Sequence, residues 1–281
     1  PQPNAFHGHK GERRIILQLS DWQVGKRENG IGVRAMEEER LPRILDAFTG
    51  IVRHFRDSGY TVNETHIVFG GDMIEGCFVY RGQNVSGLDR TDNTHRLTRQ
   101  IMKTAHMQAA IVHAVAKEME RVYVHEVDGN HGRVGTRSDY ADPEDNFDGM
   151  AAEWSQDLTA GIDHVTWSIA DDWWNGFHVG NRYVVAFHGD QWRGPLDKIQ
   201  QLLPQWCLAG VFHETPDIVL THHRHDFAMQ RVNGVTVVQN GTIDGGSNWY
   251  LKAYGKASPP EQTILVVSDE FGAEAIYPVV F

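Results

Sequence analysis

Short apolar runs alternate with amphipathic stretches along this chain, and that alternation most constrains what it can fold into. "RIILQLSD" reads as a buried strand, residues 33 to about 57 as an amphipathic helix with Pro42 near a bend, and "HIVFGGD" as the next strand. "DNTHRLTRQIMKTAHMQAAIVHAVAKEMER" reads as a long helix that Asp92, Asn93 or Thr94 is placed to cap, and "RVYVHEVD" as the strand behind it. A polar, acidic helical segment is predicted near 143 to 160. Beyond it the pattern turns β-rich, with hairpin turns at Gly180-Asn181 and Asn233-Gly234, a short helix in "LDKIQQLLPQWCLAGV" and a last hairpin in "QTILVVSDEFGAEAIYPVVF". No repeat, low-complexity tract or Pro/Ser-rich linker interrupts the pattern, which favours one continuous α/β domain over residues 1–281.

With 41% hydrophobic and 22% charged residues, the chain can bury a sizeable core. It contains no apolar run of about 18 residues, and "PQPNAFHGHKGERR" lacks the apolar stretch of a secretory signal. No membrane partner is expected, and the expected location is the cytoplasm, or the host cytoplasm for a viral chain. Cys77 and Cys207 lie far apart without CxxC spacing, which suggests neither a disulfide framework nor a thiolate zinc site. The formal net charge of −11 excludes adhesion to nucleic acid over the whole surface but leaves room for a local positive patch.

Function is carried by the residues at the end of each apolar run. "IILQLS" ends in Asp21 and Gln23, "HIVFGG" in Asp72, "VYVHEVDG" in Asn130 and His131, "YVVAF" in His188, and "DIVL" in His222, His223 and His225. In α/β sheets the carboxyl edge of the strands is where sites are built. A lone His at a strand end is ordinarily a satisfied structural residue, but that reading accounts poorly for five separate deliveries. Carboxylates, amides and imidazoles without thiolate make a mixed oxygen and nitrogen set suited to Mn²⁺, Fe, Zn²⁺ or Mg²⁺ rather than Ca²⁺. The set is too large for one ion with an open position. Two ions about 3.5–4 Å apart, sharing a carboxylate, use all of it and activate a water for displacement at phosphorus.

Asp-x-Gln at 21–23, Gly-Asp at 71–72, Gly-Asn-His at 129–131, His188 and His-x-His at 223–225 resemble, in that order, the DxH, GD, GNH, H and GHxH pattern of the calcineurin-like metallophosphoesterase superfamily. The match runs from residue 15 to about 240. "GGDMIEG" and "GNHGR" resemble the SbcD-type DNA-repair nuclease branch and its phage or prokaryotic relatives more than the Ser/Thr phosphatases. The resemblance implies a four-layer α-β-β-α sandwich of two mixed β-sheets flanked by helices. It implies two divalent ions, Mn²⁺ first, with Mg²⁺, Fe or Zn²⁺ as alternatives. Asp21, Asp72 and His225 would hold one ion, with Gln23 where the family has His. Asp72, Asn130, His188 and His223 would hold the other, and His131 would act as general acid. Gln23 is expected to weaken the first site and favour harder ions. His222 stands at the Gly position of GHxH, where it either alters access or packs.

The branch carries an additional DNA-capping domain; the 56 residues after His225 are expected to complete the sandwich and little more, so DNA recognition would come from an insertion, a homodimer or an accessory DNA-binding subunit. Residues 77–96 are the candidate insertion, mixing Phe78, Tyr80, Arg81, Gln83 and Arg90, a combination suited to stacked bases and phosphates. Trp173, Trp174 and Trp192 offer further rings, although aromatics near strands are more often core. Arg81, Arg133, Arg137, Arg193 and Arg224 lie close in sequence to metal motifs, giving a local positive rim for an anionic substrate; Arg81, Arg133, Arg137, Arg193 and His222 are the candidate substrate contacts. The leading expectation is a Mn²⁺-dependent phosphodiesterase on DNA, either an exonuclease or a single-strand endonuclease. Hydrolysis of a small nucleotide or phosphomonoester is the alternative. A non-catalytic role, like that of the calcineurin-like small subunits of replicative polymerases, comes third because those chains tend to lose ligands.

Overall fold

A computed structural model describes residues 10–27, 29–77, 79, 83, 88–135, 145–194, 196–244, 255 and 258–281. Two mixed sheets form the centre. The first has the order β11-β10-β1-β2-β3-β4, built from β1 (Glu12–Leu19), β2 (Thr61–Phe69), β3 (Arg121–Glu126), β4 (Val165–Ile169), β10 (Glu261–Ser268) and β11 (Gly272–Val280). Strands β1 to β4 run parallel, and the tail hairpin adds antiparallel to β1. The second has the order β5-β6-β7-β9-β8, from β5 (Trp174–Val179), β6 (Arg182–Phe187), β7 (Ile218–Thr221), β8 (Ala228–Val232) and β9 (Val235–Gln239).

Both faces of each sheet are covered, which is why the strands read as near-continuous apolar runs rather than as alternating ones. In β1, Ile15, Leu17 and Leu19 pack outward against Ile44, Phe48 and Val52 of α2 (Leu41–Asp57) and Met107, Ile111 and Val115 of α3 (Leu97–Ala116). Ile16 points the other way and meets Val184, Ala186, Ile218 and Leu220 of the second sheet. The outer face of that sheet, through Val185, Phe187 and Val219, packs on Ile199 and Leu203 of α5 (Ile199–Leu208). The layers are therefore helix, sheet, sheet, helix, as expected. Among the described residues no helix is long and apolar enough to cross a membrane.

Two expectations need correction. The long helix begins at Leu97, and Asp92, Asn93 and Thr94 do not cap it; its N-cap is Arg96, with no side-chain bond. Thr91–Asn93 instead form a separate 3-10 turn, and the Thr94 hydroxyl is spent on Asp89 O and Thr91 O. Strand β4 is not among the expected elements: it is an edge strand with exposed Thr166 and Ser168, so it lacks the buried run that marks β1 to β3. The helix from 33 is one path in three pieces, α1 (Val33–Ala35), a π-helical turn at Met36–Arg40, and α2 with Pro42 in its first turn, where the missing N–H costs nothing.

An ionic cluster ties β1, β2 and β3 together near their amino ends, away from the strand ends that carry the motifs. Glu64 receives Arg14 Nε at 3.2 Å, Arg121 Nε at 3.0 Å and His66 Nε2 at 3.1 Å, matching its cross-strand register with Arg14 and Arg121. Burial alone would raise the Glu64 carboxyl, but the bonds from His66 and Arg121 and the charge of Arg14 hold it down at about 2. A depressed carboxyl stabilises the fold above its unfolded value and loses that contribution as pH falls toward the folded one. Glu64→Gln is therefore expected to cost about 1–2 kcal/mol at pH 7, after allowance for solvent screening. Urea unfolding should show the gap from the parent narrowing between pH 4.5 and about 2. A gap that does not narrow with acid would show that the cluster carries no such linkage.

Candidate metal centre

The carboxyl ends of β1, β2, β3, β6 and β7 meet at one edge, where the chain leaves each strand in a tight turn. Asp21, Gln23, Asp72, His223 and His225 all adopt left-handed backbone, with φ of 52°, 46°, 52°, 73° and 59°. Such conformations cost on the order of 1–2 kcal/mol per non-glycine residue, and they cluster where side chains must be aimed at a common point. Glycines let the loops touch. A Cβ on Gly129 would lie 2.0 Å from Asp72 N, and one on Gly71 would lie 2.7 Å from Gly129 N and 2.8 Å from His188 Nδ1. The Gly of Gly-Asp and the Gly of Gly-Asn-His are thus required by backbone contact between the two loops.

Among the described residues, ligand atoms of Asp72, His188 and His223 lie within 4.8 Å of one another. Asp72 Oδ2 is 3.1 Å from His188 Nε2, and His223 Nδ1 is 3.2 Å from the same nitrogen. His188 Nδ1 donates to Gly70 O at 2.8 Å, which leaves Nε2 as the nitrogen that could hold a metal. Beside this group, His225 Nε2 lies 3.2 Å from Asp21 Oδ1, and Asp21 Oδ2 accepts the His223 amide. Asp21 Oδ1 and Asn130 Oδ1 are buried in no hydrogen bond. Buried acceptors ordinarily find a donor; Asp21 Oδ1, facing His225 Nε2 across 3.2 Å, and the buried Asn130 Oδ1 are oxygens of the kind a divalent cation takes.

The electrostatics agree. Burial would raise the Asp72 carboxyl, but the imidazoles of His188, His131 and His223 hold it well below the usual carboxylate range. Burial would lower His188, but Asp72 and Asp21 push it up to about 10; His131 is likewise pushed up to about 9 by Asp72 and Glu75 against its burial. His223 falls to about 3 through burial and the His188 charge. The proton on His188 offsets the charge of the ionised carboxylates, and a cation binding here would displace it.

The remaining expected residues divide. His131 sits at the rim, its backbone N–H donating to Asp72 Oδ1 at 2.7 Å and its Nδ1 lying 3.0 Å from Glu75 O and 3.2 Å from Glu75 Oε2. Arg133 pairs with Asp190, the second residue after His188, and Arg193 is exposed. His222 is not a substrate contact: it is fully buried, and its ring lies where a Cβ on Gly70 would be, 2.2 Å from that position. Burial pushes it down to about 3. Trp173, Trp174 and Trp192 belong to the core under α5 with Phe187 and Phe212. Arg81, Arg137, Phe78 and Tyr80 lie outside the described residues.

Sequence reasoning misses the residues that support the ligands. Asp148, in the first turn of α4 (Phe147–Thr159), accepts from Ile74 N at 3.0 Å and Gly129 N at 3.1 Å, bracing the Gly-Asp and Gly-Asn-His loops together. Burial and the Asp72 charge push its carboxyl up to about 6. The sequence signal is slight, an Asn146 N-cap with Asp148 behind it. Asp148→Ala leaves two buried N–H groups unpaired and is expected to lower stability by about 2–4 kcal/mol. Thermal unfolding with and without Mn²⁺ checks this; unchanged stability and unchanged metal affinity would remove Asp148 from the support.

No protein-family model matches the sequence, and no curated protein does. Solved structures similar to it over nearly the whole chain include an archaeal phosphodiesterase, at 14% identity over 96% of this chain and 99% of that one, with a TM-score of 0.44. Vps29 of Entamoeba histolytica complexed with zinc is 13% identical over 94% of this chain and 96% of its own, with a TM-score of 0.42. A hypothetical protein of Pyrococcus horikoshii is 9% identical over 95% and 88%, with a TM-score of 0.47.

Proposed function

We propose that the chain is a metal-dependent phosphoesterase of the calcineurin-like metallophosphoesterase superfamily, acting on phosphodiesters, with DNA as the first substrate class. The observation that carries this is the convergence of Asp72, His188 and His223 at one sheet edge, with Asp21 accepting the His223 amide and Asn130 preceding His131, whose amide donates to Asp72. A divalent ion held there, Mn²⁺ first, supplies positive charge to the phosphoryl oxygens and acidifies water. Asp72, Asn130, His188 and His223 orient that ion, while His131 reaches over the rim to give a proton to the departing oxygen or to offset its charge. Exposed Arg193 supplies positive charge to a bound strand. DNA binding beyond that draws on residues 77–96, a second copy or an accessory DNA-binding subunit.

One observation favours the small-nucleotide reading. Arg133 is paired with Asp190, and Arg224 donates to Trp192 O at 2.8 Å, so two of the rim arginines are already held by the protein. A compact phosphate needs fewer cations than a strand. The test is hydrolysis of labelled single- and double-stranded DNA, bis-p-nitrophenyl phosphate and p-nitrophenyl phosphate with Mn²⁺, each repeated with chelator. Chelator-sensitive cleavage of DNA and of the diester is expected. Cleavage of the monoester alone would replace the nuclease reading with the phosphomonoesterase one, and no cleavage with any divalent ion would sink both.

A further inference from the structure

Lys26 holds the residue that stands where the resemblance leads one to look for a metal ligand. Its Nζ lies 2.7 Å from Gln23 Oε1 and 2.5 Å from Asp244 Oδ2, with the Lys26 and Asp244 side chains only 13% and 1% exposed. An ammonium donates and cannot accept, so Gln23 presents its oxygen to Lys26 rather than to a metal. The amide nitrogen is turned the other way, 3.2 Å from His131 Nε2. Neither end of Gln23 is left as a ligand.

The arrangement is built into the fold. Asp244 arrives on the segment after β9, where the Thr242 hydroxyl donates to Asp21 O and accepts the Asp244 amide. The Arg40 guanidinium, from the π-helical turn, donates to the carbonyls of Ile243 and Asp244 and fixes the same segment from outside. On the first strand side, Lys26 N donates to Gln23 O at 2.9 Å, closing the turn that carries both residues. By contrast, Asn130 Oδ1 is buried in no hydrogen bond with any cation among the described residues.

We propose that the centre is asymmetric: one divalent ion binds at Asp72, Asn130, His188 and His223, and the Lys26–Asp244 pair holds the Gln23 oxygen away from a second ion. This rests on the metal-centre reading above. With Gln23 withdrawn, a second ion at Asp21 and His225 has a ligand fewer and binds about 100-fold or more weakly than the first. Lys26 is thus a positioning residue that decides how many ions the centre holds.

The experiment is a Mn²⁺ titration of the full chain, read by calorimetry and by electron paramagnetic resonance, on the parent and on two variants. The first variant is Lys26→Ala with Asp244→Asn, which removes the ammonium without stranding a buried carboxylate. The second adds Gln23→His. The parent is expected to take one ion per chain with an uncoupled six-line Mn²⁺ signal. The first variant should tighten the second ion at least about tenfold by releasing the Gln23 oxygen to ligate, and the second variant should bind two ions with a spin-coupled signal. Two ions of equal affinity and a coupled signal in the parent would overturn the asymmetry while leaving the phosphoesterase reading intact. An unchanged second affinity in both folded variants would overturn the role of Lys26. A parent that binds no divalent ion would overturn this inference and the metal-centre reading together.

Discussion

Asp72→Asn is expected to lower phosphoester hydrolysis by about 10³-fold or more, at the upper end of what a single preorganised charge-stabilising group contributes. It should also reduce bound metal. The reason is position. Asp72 Oδ2 lies 3.1 Å from His188 Nε2, and Oδ1 accepts the His131 amide at 2.7 Å. Asparagine keeps the shape and tolerates the left-handed backbone that Asp72 adopts at φ 52°, so the fold should survive and the loss can be read as chemistry. His188→Ala should lose activity and metal together for the same reason. Circular dichroism establishes that each variant is folded, and metal analysis with diester hydrolysis gives the outcome. If folded Asp72→Asn hydrolyses diesters at the parent rate, the metal-assisted mechanism is wrong.

What the sequence displays well is the part of the molecule governed by burial on both faces. Ile15, Ile16 and Leu17 are all fully buried, so β1 reads as an unbroken apolar run, and a polar residue at its carboxyl edge stands out against it. Asp21, Asp72, His188 and His223 are therefore legible as a set without their distances. Strand β4 is not, because an edge strand with alternating exposure resembles many polar loops. The cap of α3 misleads because Asp92, Asn93 and Thr94 have capping chemistry but belong to a separate turn, in which the Thr94 hydroxyl bonds Asp89 O and Thr91 O. The capping-type carboxylate in that region is Asp89, which accepts Val33 N at 3.0 Å and Thr91 N at 2.9 Å and so ties this turn to the start of α1.

Support residues are illegible for a different reason. Lys26 meets Asp244 across 218 residues of sequence, and Asp148 reaches Ile74 across 74. No periodicity links such partners, since each is set by how the sheets and loops come together rather than by local pattern. The same distance explains why Gln23 reads as a weakened ligand: its substitution for His is visible in the sequence, whereas the ammonium that claims its oxygen is visible only in three dimensions.

His131→Asn should separate chemistry from binding. The imidazole follows Asn130 in sequence, yet its Nδ1 is turned toward Glu75 O and Oε2, and its Nε2 lies 3.9 Å from Asp72 Oδ2, which places it beside the ligands rather than among them. Burial would lower it, but Asp72 and Glu75 push it up to about 9. The substitution is expected to leave metal content and substrate affinity nearly intact while kcat falls by roughly 10²–10⁴, the usual contribution of a positioned acid or base. Loss of metal would make His131 a ligand instead. A donor of the proton also predicts dependence on the leaving group: p-nitrophenolate departs with little protonation, whereas the sugar alkoxide released from DNA needs a proton. The loss on bis-p-nitrophenyl phosphate should then be much smaller than the loss on DNA. Equal losses on the two substrates would mean that the imidazolium offsets charge on the phosphoryl group without donating, and unchanged rates on both would remove His131 from the mechanism.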